Sequence, residues 1–595
     1  MGETLARATL VGLALLRLAF AFAPGYVHPD EWFQSNEVTA ANVFGTETRL
    51  PWEYTADAPA RSILGAYASS GLSYLIACAI ARATGAALDV SWVTTYAPRL
   101  ALCAASATVD LAVVSCARAV GSATTGAVNE AGVLFATSWV TLVLLVRPFS
   151  NSLETYATAA CALVATTERK YLGPVSRCVA IGTIGMVSSF IRFTSGAFIA
   201  PWAVYVVARA REKSPLTMLV GVWSGAMAAI LTAVVCIVID TAYFSDTNML
   251  NVWVWTSKNW IITPWNSFRY NVNADNLARH GLHPRYLHVL VNGPLMFSVL
   301  WLVSLSALMR RRRDASSRDL IVRTLWASVL FPLAALSLAP HQEPRFLTPM
   351  ILPMCVLAAH YSRSTLVSRK RRLFAIWIAI NALLACLFGV LHQGGVVRSM
   401  RTLAKTDAAF DGGSSGRFAL FWKTYSPPLS ILAQSSGESD LVSVYDAAGA
   451  SVDDVRELLL AATSKGVCVV DQPMCTTSAK NIIIIAPALA FERLRERTQN
   501  LDYERVLSIF PHLSLDHLDD VFDAFASGNR RERFALVKKS LQLTVHRVRY
   551  PEPSVFRHLE ISSSRARVSH PTPEISRAAS ANAKFSRKHS ARRDA

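Results

Sequence analysis

The chain has 595 residues, of which 52% are hydrophobic and 17% are charged. A soluble protein of this length carries charge on nearer a quarter of its residues, so the composition excludes an ordinary soluble protein and indicates a multispanning membrane protein. The formal net charge of +18 does not indicate nucleic-acid binding, because many cations lie in short clusters between apolar runs or in the C-terminal tail.

The first apolar run, residues 8–24, predicts an uncleaved membrane span and is followed directly by His28-Pro29-Asp30-Glu31. Pro29 suits the first position of a new helix, and acids suit the turn that follows. On that helix Gln34 would share a face with Asp30, because the two residues are four apart. The paired acids have two interpretations: they complement the helix dipole, or they belong to a functional site at the membrane surface.

Apolar runs predict about ten to twelve membrane spans in all. The candidate runs are 8–24, 62–84, 92–118, 130–146, 152–167, 178–191, 196–209, 215–243, 287–308, 319–339, 346–360 and 373–391.

Basic clusters predict which loops face the cytosol. They lie at residues 209–213, 310–313 and 363–372. Three polar loops then converge on the opposite face of the membrane, and these are residues 25–61, 244–286 and 340–345. The side of residues 147–151 stays open, because the spans counted between 62 and 167 differ by one from the number that this sidedness requires.

The loop 244–286 is rich in tryptophan and asparagine, including Trp260. Tryptophan is common at membrane interfaces, so interface anchoring is one interpretation. The alternative is that these rings and amides bind a sugar or a lipid-linked sugar.

After Leu391 the sequence changes character. The short apolar runs in residues 392–561 predict a small α/β domain on the same face as the His28 loop. Its predicted strands are 441–445, 467–470 and 481–485, and its predicted helix is 453–462. Residues 562–595 predict a basic disordered tail. Cys468 and Cys475 could form one disulfide in an oxidising lumen, whereas the cysteines inside apolar runs are small hydrophobic residues.

Charged residues at span ends are costly, so they are candidates for function. On the predicted non-cytosolic face these are Asp30, Glu31, Arg192, His341, Glu343 and Arg345. Such a set suits a transfer reaction, in which a carboxylate takes a proton from a hydroxyl and cations hold a departing phosphate. The same set also suits an ion-coupled transporter, and composition does not separate the two.

Two motifs carry a family resemblance. The first is His28-Pro29-Asp30-Glu31-Trp32-Phe33-Gln34-Ser35, followed by Phe44-Gly45 and Trp52-Glu53, and the second is His341-Gln342-Glu343-Pro344-Arg345-Phe346-Leu347. Together they resemble the polytopic mannosyltransferases of glycosyltransferase family 22. Two segments add weaker likenesses, residues 147–154 (Arg-Pro-Phe-Ser-Asn-Ser-Leu-Glu) and residues 191–194 (Ile-Arg-Phe-Thr), of which the latter departs from a more usual Arg-Pro-Thr. The resemblance covers residues 8–360 and leaves the C-terminal domain without a role.

The resemblance implies a GT-C type fold, mainly α and polytopic, with its active site on the lumenal side of the endoplasmic reticulum membrane. It implies no cofactor and no nucleic acid: the donor would be dolichyl-phosphate mannose and the acceptor a lipid-anchored glycan. The form His341-Gln342-Glu343-Pro344 is similar to that of family members that add the fourth mannose, in α-1,2 linkage, to the glycosylphosphatidylinositol (GPI) anchor precursor. The first loop has no Asp-x-Asp, so no metal is expected; cations alone can serve a lipid monophosphate leaving group.

The donor sugar is β-linked and the family's product is α-linked, which implies inversion with one base. Asp30 is the expected base, with Glu31 the second choice. The residues expected to hold the donor are His28, Arg192, His341 and Arg345. Glu343 would orient Arg345, or the two would form a structural ion pair that closes the loop. Further candidates for the site are Gln34, Arg147, Asn151, Glu154 and Trp260.

Three alternatives remain open from the sequence. One is an enzyme of the same family that adds the third GPI mannose or extends the dolichol-linked N-glycan precursor. Another is a secondary transporter, although such proteins show two related halves and no internal repeat is found in this chain. The third is a non-catalytic relative whose residues 392–595 are the working part.

Overall fold

The computed structural model describes residues 2–55, 59–121, 125–168, 171–245, 260–278, 281–310, 319–362, 366–405, 417–434, 442–465, 481–527 and 532–549. Several expectations lie outside these residues, namely those on positions 246–259 of the Trp-rich loop, the strand at 467–470, the Cys468–Cys475 disulfide and the tail 562–595.

The chain divides into two compact units. The first consists of Met1–Ala23, Asp30–Thr39 and Ala56–Gly389, and the second of Pro24–Pro29, Ala40–Thr55 and Val390–Ala595. The predicted domains, 1–391, 392–561 and 562–595, stay predictions. The second unit also takes in two pieces of the N-terminal loop, so that His28 and Asp30 fall in different units although they are two residues apart.

The first unit is built of helices. They are Gly2–Ala21, Ile63–Ala66, Leu72–Thr84, Val90–Ala105, Ala107–Ala119, Thr125–Ala136, Ser150–Thr166, Pro174–Ile191, Ser195–Lys213, Pro215–Phe244, Thr263–Val272, Ala274–Ala278, Gly293–Phe297, Val299–Arg310, Leu320–Ser337, Ile351–Tyr361 and Val367–Cys386. The helix Glu37–Phe44 begins in this unit and continues into the second. Wider π-helical turns occur at Trp32–Asn36, Tyr67–Gly71, Val140–Leu144, His288–Asn292 and Leu387–Leu391, and a 3₁₀ helix runs over Pro344–Met350.

Six helical segments among the described residues are long and apolar enough to cross a bilayer on their own. They are Ile63–Thr84, Val90–Ala119, Pro174–Ile191, Pro215–Phe244, Leu320–Ser337 and Val367–Leu391. Two shorter apolar helices are Val11–Ala21 and His288–Phe297. The spans predicted at 152–167 and 346–360 correspond to Ser150–Thr166 and Ile351–Tyr361, whose side chains are mostly buried within the protein. The chain is a mainly helical, multi-pass membrane protein, as the sequence predicts.

Local sequence explains where the long helices begin and how closely they pack. Pro174 and Pro215 occupy first positions, where a missing N–H costs nothing, and the Ser214 hydroxyl accepts a 3.0 Å hydrogen bond from the Thr217 N–H. Gly182 and Gly225 lie where these two helices meet. A Cβ added at Gly182 would stand 2.2 Å from the Gly225 carbonyl oxygen. The helix backbones are therefore in direct contact, as small residues allow in membrane proteins.

The second unit holds a five-stranded mixed sheet. Its strands are β1 (Arg417–Phe421), β2 (Val442–Asp446), β3 (Asn481–Pro487), β4 (Asp502–Ile509) and β5 (Leu543–Arg549), in the order β2-β1-β3-β5-β4. β1 pairs in parallel with β2 and β3, whereas β5 is antiparallel to β3 and β4. The helices of this unit are Val396–Lys405, Val452–Lys465, Ala488–Arg497, Asp519–Ser527 and Glu532–Ser540. The expected small C-terminal α/β region is confirmed, with predicted strands at β2 and β3; β1, β4 and β5 were not predicted.

The core of this sheet is apolar on the side covered by helices. Buried side chains from β1 and β3, among them Phe418, Leu420, Ile482 and Ile484, pack with Phe491 and Leu494 of the helix Ala488–Arg497. The apolar run Ile482–Ile485 is buried on both faces because β3 is the middle strand of the five.

Candidate active site

The acidic motif after the first membrane helix begins a new helix at Asp30. A π-helical turn, Trp32–Asn36, follows at once, and the Trp32 ring in it is fully buried and anchors the turn. Gln34 Nε2 donates a 2.6 Å hydrogen bond to Asp30 Oδ2. Asp30 and Gln34 therefore share a face, as their spacing predicts, and the carboxylate is held in place from its own helix.

The two specific sequence motifs meet through one ion pair. Arg345 Nη2 lies 2.6 Å from Asp30 Oδ2, although the residues are 315 positions apart. Arg345 Nε also donates to Glu343 Oε2. Arg345 thus connects the expected base to Glu343, the residue expected to orient it.

His341 continues this chain of contacts from the other oxygen of Glu343. Its Nε2 lies 2.9 Å from Glu343 Oε1, and its Nδ1 lies 3.0 Å from the Gly281 carbonyl oxygen. Both ring nitrogens face acceptors, so both must donate, which requires the charged imidazolium. The hydrogen bond to Glu343 raises the pKa of His341 and outweighs the opposing effect of burial. The protonated form of His341 is therefore favoured beside Glu343.

The loop that carries these groups is held by Gln342, which is 1% exposed. The side-chain oxygen of Gln342 accepts a 3.0 Å hydrogen bond from the His288 N–H, and its amide nitrogen donates to the carbonyls of Ser337 and Ala339. A buried amide with both ends bonded fixes the path of the backbone on either side of it. It thereby sets the positions of His341 and Glu343.

Arg345 has hydrogen-bonding capacity left over for a substrate. Burial tends to lower the pKa of Arg345, but the charges of Asp30 and Glu343 outweigh it and raise that pKa, so the guanidinium stays charged. The guanidinium carbon, Cζ, lies 5.6 Å from the centre of the Phe149 ring and 6.0 Å from the centre of the Phe346 ring. Within the described residues, its buried Nη1 has no hydrogen-bond partner. A buried, charged donor without a partner suits an incoming phosphate oxygen.

Arg192 also approaches the Phe346 ring, with its guanidinium carbon 5.0 Å from the ring centre. Its Nε is 3.4 Å from Glu154 Oε2, and its Nη1 donates a 3.0 Å hydrogen bond to the Ser150 hydroxyl. Glu154 is fully buried and also accepts from the hydroxyls of Thr194 and Ser195. Arg192 and Glu154, both predicted from sequence, are therefore brought together, and Arg192 joins Arg345 around one aromatic ring.

The sequence analysis missed Arg61. Its Nη1 donates a 3.3 Å hydrogen bond to the same Ser150 hydroxyl that accepts from Arg192. Arg61 stands directly before the apolar run 62–84, so the rule that selected Arg192, a charge at the end of a span, could have found it.

Glu31 has a different environment from Asp30. It is fully buried, and its Oε1 accepts from Arg99 Nε at 3.0 Å and Nη2 at 2.5 Å. Its Oε2 lies 3.6 Å from Nε of Arg147, which is also fully buried. Arg99 in turn donates to the Ala23 carbonyl. This geometry ties the motif to the helix Val90–Ala105 and favours a structural part for Glu31 and Arg147. Arg99, inside an apolar run, was not selected from sequence.

Three further candidates from the sequence are His28, Asn151 and Trp260. The His28 ring stands 6.4 Å from the Tyr425 ring, and both belong to the second unit. Asn151 is buried three residues before Glu154, and Trp260 is 43% exposed. Among the described residues, no group of three His, Cys, Asp or Glu side chains is placed to hold a metal ion.

A family model extends over most of the chain. The model described as the Alg9-like mannosyltransferase family matches residues 8–434. The chain belongs to this family. The expected family and the expected enzyme class, a mannosyltransferase, are confirmed, and the match covers both specific motifs.

Curated relatives agree with this assignment. The chain is 31% identical to the human protein named GPI alpha-1,2-mannosyltransferase 4, over 88% of this chain and 92% of the relative. It is 32% identical to the GPI mannosyltransferase 4 of Emericella nidulans, over 72% of this chain and 77% of the relative. Among solved structures, ArnT from Cupriavidus metallidurans in the apo state aligns with a TM-score of 0.47 and 11% identity, covering 85% of this chain and 97% of ArnT.

In this member of the family the site combines two kinds of group. Asp30 is a partly exposed carboxylate, with 23% of its side chain accessible. Around it the cations Arg345, His341, Arg192 and Arg61 are linked through Glu343, Ser150 and the Phe346 ring. Such an arrangement can accept one proton and bind one anion, which are the two tasks of an inverting transfer from a sugar phosphate.

Proposed function

We propose that this chain is an α-1,2-mannosyltransferase that moves mannose from dolichyl-phosphate mannose to a GPI-anchor precursor as the fourth mannose. The proposal places the active site on the lumenal side of the endoplasmic reticulum membrane. The observation that carries it is the Asp30–Arg345 pair, in which a carboxylate and a guanidinium with an unused donor lie side by side at 2.6 Å. The names of the curated relatives, GPI mannosyltransferase 4, support this acceptor over the third-mannose and N-glycan alternatives.

The proposed step is a single inverting displacement. The acceptor hydroxyl oxygen forms a bond to the anomeric carbon, and the bond from that carbon to the phosphate oxygen breaks with its electron pair on the phosphate. The hydroxyl proton passes to Asp30. In the absence of donor, Arg345 is hydrogen-bonded to Asp30. The arriving phosphate would replace Asp30 as the acceptor of this hydrogen bond, and the carboxylate oxygen would then be available for the proton. The β-linked donor thereby gives an α-linked product.

The donor phosphate gains negative charge as the sugar leaves, so the cations act most strongly on the transition state. Arg345 and Arg192 are proposed to hold this phosphate, with His341 adding positive charge at the rim. These cations supply the charge that a metal would otherwise supply, which supports a reaction without a cofactor.

A lipid-linked donor is supported by an apolar groove of about 350 Å³. The groove is lined by residues from Cys178 to Ser189 of the helix Pro174–Ile191 and by apolar residues of the helices Ser195–Lys213 and Pro215–Phe244. That helix ends at Ile191, directly before Arg192. A prenyl chain lying in the groove would therefore bring its phosphate toward Arg192.

The test uses microsomes from cells that lack the fourth-mannose activity, supplied with this chain and labelled dolichyl-phosphate mannose. We expect the three-mannose GPI species to become a four-mannose species whose new mannose is removed by an α-1,2-specific mannosidase. Conversion of a two-mannose GPI species or of a dolichol-linked glycan instead would assign the chain to another acceptor. Proton-coupled uptake of a solute without any mannose transfer would support a transporter.

A further inference from the structure

Two guanidinium groups converge on one neutral hydroxyl beside the proposed phosphate site. Arg61 Nη1 and Arg192 Nη1 donate to the Ser150 oxygen at 3.3 Å and 3.0 Å. Ser150 is the first residue of the helix Ser150–Thr166. A hydroxyl can accept both hydrogen bonds, so Ser150 holds the two guanidinium groups close together.

A third guanidinium adds to this concentration of positive charge. The guanidinium carbons of Arg192 and Arg345 lie 5.0 Å and 6.0 Å from the centre of the Phe346 ring. Burial lowers the pKa of Arg192; the charges of Glu154 and Glu343 oppose this effect, and the charges of Arg61 and Arg345 add to it. Asp30, Glu154 and Glu343 balance part of this positive charge. Because three guanidinium groups lie close together, a phosphate among them would be attracted by all three.

Arg61 is held in place by the backbone next to it. The Ser62 hydroxyl and the Ile63 N–H both bond to Asp240 Oδ1, at 2.8 Å and 3.1 Å. Thr263 donates a 2.7 Å hydrogen bond to the other oxygen of Asp240, which is fully buried. The start of the helix Ile63–Ala66 is thus fixed to the end of the helix Pro215–Phe244. The backbone next to Arg61 is therefore fixed by contacts that need no ligand.

We infer that Arg61 is a further phosphate-binding residue of this site, which acts with Arg192 and Arg345 on a polyprenyl phosphate. The identity of this lipid rests on the proposed function, whereas the binding of a phosphate at the cluster does not. A phosphodiester donor carries one negative charge, and the phosphate monoester that leaves carries nearly two at neutral pH. Arg61 therefore contributes more to the departing phosphate than to the bound donor.

The test measures binding rather than turnover. Purified full-length wild type, Arg61→Ala, Arg61→Lys and Arg82→Ala are titrated with dolichyl phosphate and, separately, with dolichol. Arg82 is the matched control, since it is an exposed arginine near the end of the helix Leu72–Thr84. We expect Arg61→Ala to weaken the affinity for dolichyl phosphate roughly ten- to a hundredfold, as for the loss of a charged hydrogen bond. Arg61→Lys should lose less, and Arg82→Ala and all dolichol affinities should stay unchanged.

Two results would overturn the inference. One is wild-type affinity of Arg61→Ala for dolichyl phosphate, and the other is an equal loss of affinity for dolichol, which would mean a damaged fold. If Arg61→Ala does not fold, Arg61→Lys and Arg61→Gln carry the same comparison, with Arg61→Gln expected to bind dolichyl phosphate more weakly than Arg61→Lys. If dolichyl phosphate binding depends on Arg61 but no mannose reaches a GPI acceptor, the inference stands and the proposed function fails.

Discussion

Glu343 links the two cations of the second motif, and its replacement by glutamine tests that link. The carboxylate accepts from His341 through one oxygen and from Arg345 through the other. A glutamine has one carbonyl oxygen and one NH₂ group, so it can accept from only one of these two donors. The other cation would then face a donor. Glu343→Gln therefore removes a charge and breaks one of the two contacts while keeping the shape of the side chain.

The magnitude follows from the lost hydrogen bond. A hydrogen bond to a charged group contributes about 1.5–3 kcal/mol, and the Glu343 side chain is 22% exposed, which places the effect toward the lower end. About 1.5 kcal/mol in the transition state corresponds to a rate loss of roughly tenfold. Glu212→Gln is the control, because Glu212 forms an exposed pair with Arg209 that should contribute less than about 1 kcal/mol.

The pH dependence supplies a second measurement for Glu343→Gln. The hydrogen bond to Glu343 raises the pKa of His341 above its value in the unfolded chain, which is about 6.5. The contribution of the imidazolium is therefore fully present below about pH 6.5 and is lost as the pH rises through the raised pKa. In the mannose-transfer assay, the alkaline decline in rate should move to lower pH in Glu343→Gln. An alkaline limb at the same pH in both proteins would mean that His341 does not set this limb through its contact with Glu343.

Further predictions concern the structure around the site. Glu31→Gln should lower the thermal unfolding temperature and the yield of folded protein, because breaking a buried ion pair costs about 3–5 kcal/mol; a stable Glu31→Gln protein that binds donor but does not transfer mannose would instead make Glu31 the base. Asp275→Thr creates a glycosylation acceptor at Asn273, and we expect an endoglycosidase-sensitive mass shift if this loop is lumenal; a shift for Glu212→Asn, which creates an acceptor before Ser214, would contradict the sidedness. Gly182→Ala should destabilise the protein by about 1–3 kcal/mol, because the added Cβ would lie 2.2 Å from the Gly225 carbonyl oxygen. Gly132→Ala should not destabilise it, because no atom lies within 4 Å of the added Cβ. Thermal unfolding of both variants measures the difference.

The sequence identified the site residues that lie in its two specific motifs, but it did not identify Arg61. Asp30, Glu343 and Arg345 could be selected because each lies in a motif with a family resemblance and at the end of an apolar run. Arg61 lies in neither motif, so only its place before a span marks it in the sequence, and its link to Arg192 depends on Ser150, which is distant in the chain. Contacts of this kind depend on tertiary packing, for which a single sequence contains no pattern.

Asp30 and Glu31 show the same limit at the level of one helix turn. Neighbouring residues on a helix point in directions about 100° apart, so one acid can face a cavity while the next is buried. Arg345 pairs with Asp30 and Arg99 pairs with Glu31, so the positions of these two arginines decide which acid faces the cavity and which is buried. The two arginines belong to different parts of the chain. The π-helical turn Trp32–Asn36 was equally unforeseen, because the residue spacing on which the prediction rested assumes a regular helix.

For the fold, hydropathy located the long membrane helices but could not tell lipid-facing helices from buried ones. The helix Ile351–Tyr361 is apolar all round and lies almost wholly in the interior, so it resembles a span in the sequence. In the second unit, β3 was predicted because its isoleucine run is buried on both faces. The edge strand β4 has a mixed pattern of exposed and buried residues and was missed.

Asp30 is proposed to take the proton of the acceptor hydroxyl, and a comparison of three proteins tests this role. Wild type, Asp30→Asn and the exposed control Asp275→Asn are assayed for the rate of mannose transfer to the three-mannose GPI species at saturating donor, with donor affinity measured in parallel. We expect Asp30→Asn to lose about a hundredfold or more in rate, as for a missing general base, while its donor affinity stays within about tenfold of wild type and Asp275→Asn is unaffected. Transfer by Asp30→Asn at close to the wild-type rate would mean that another group is the base.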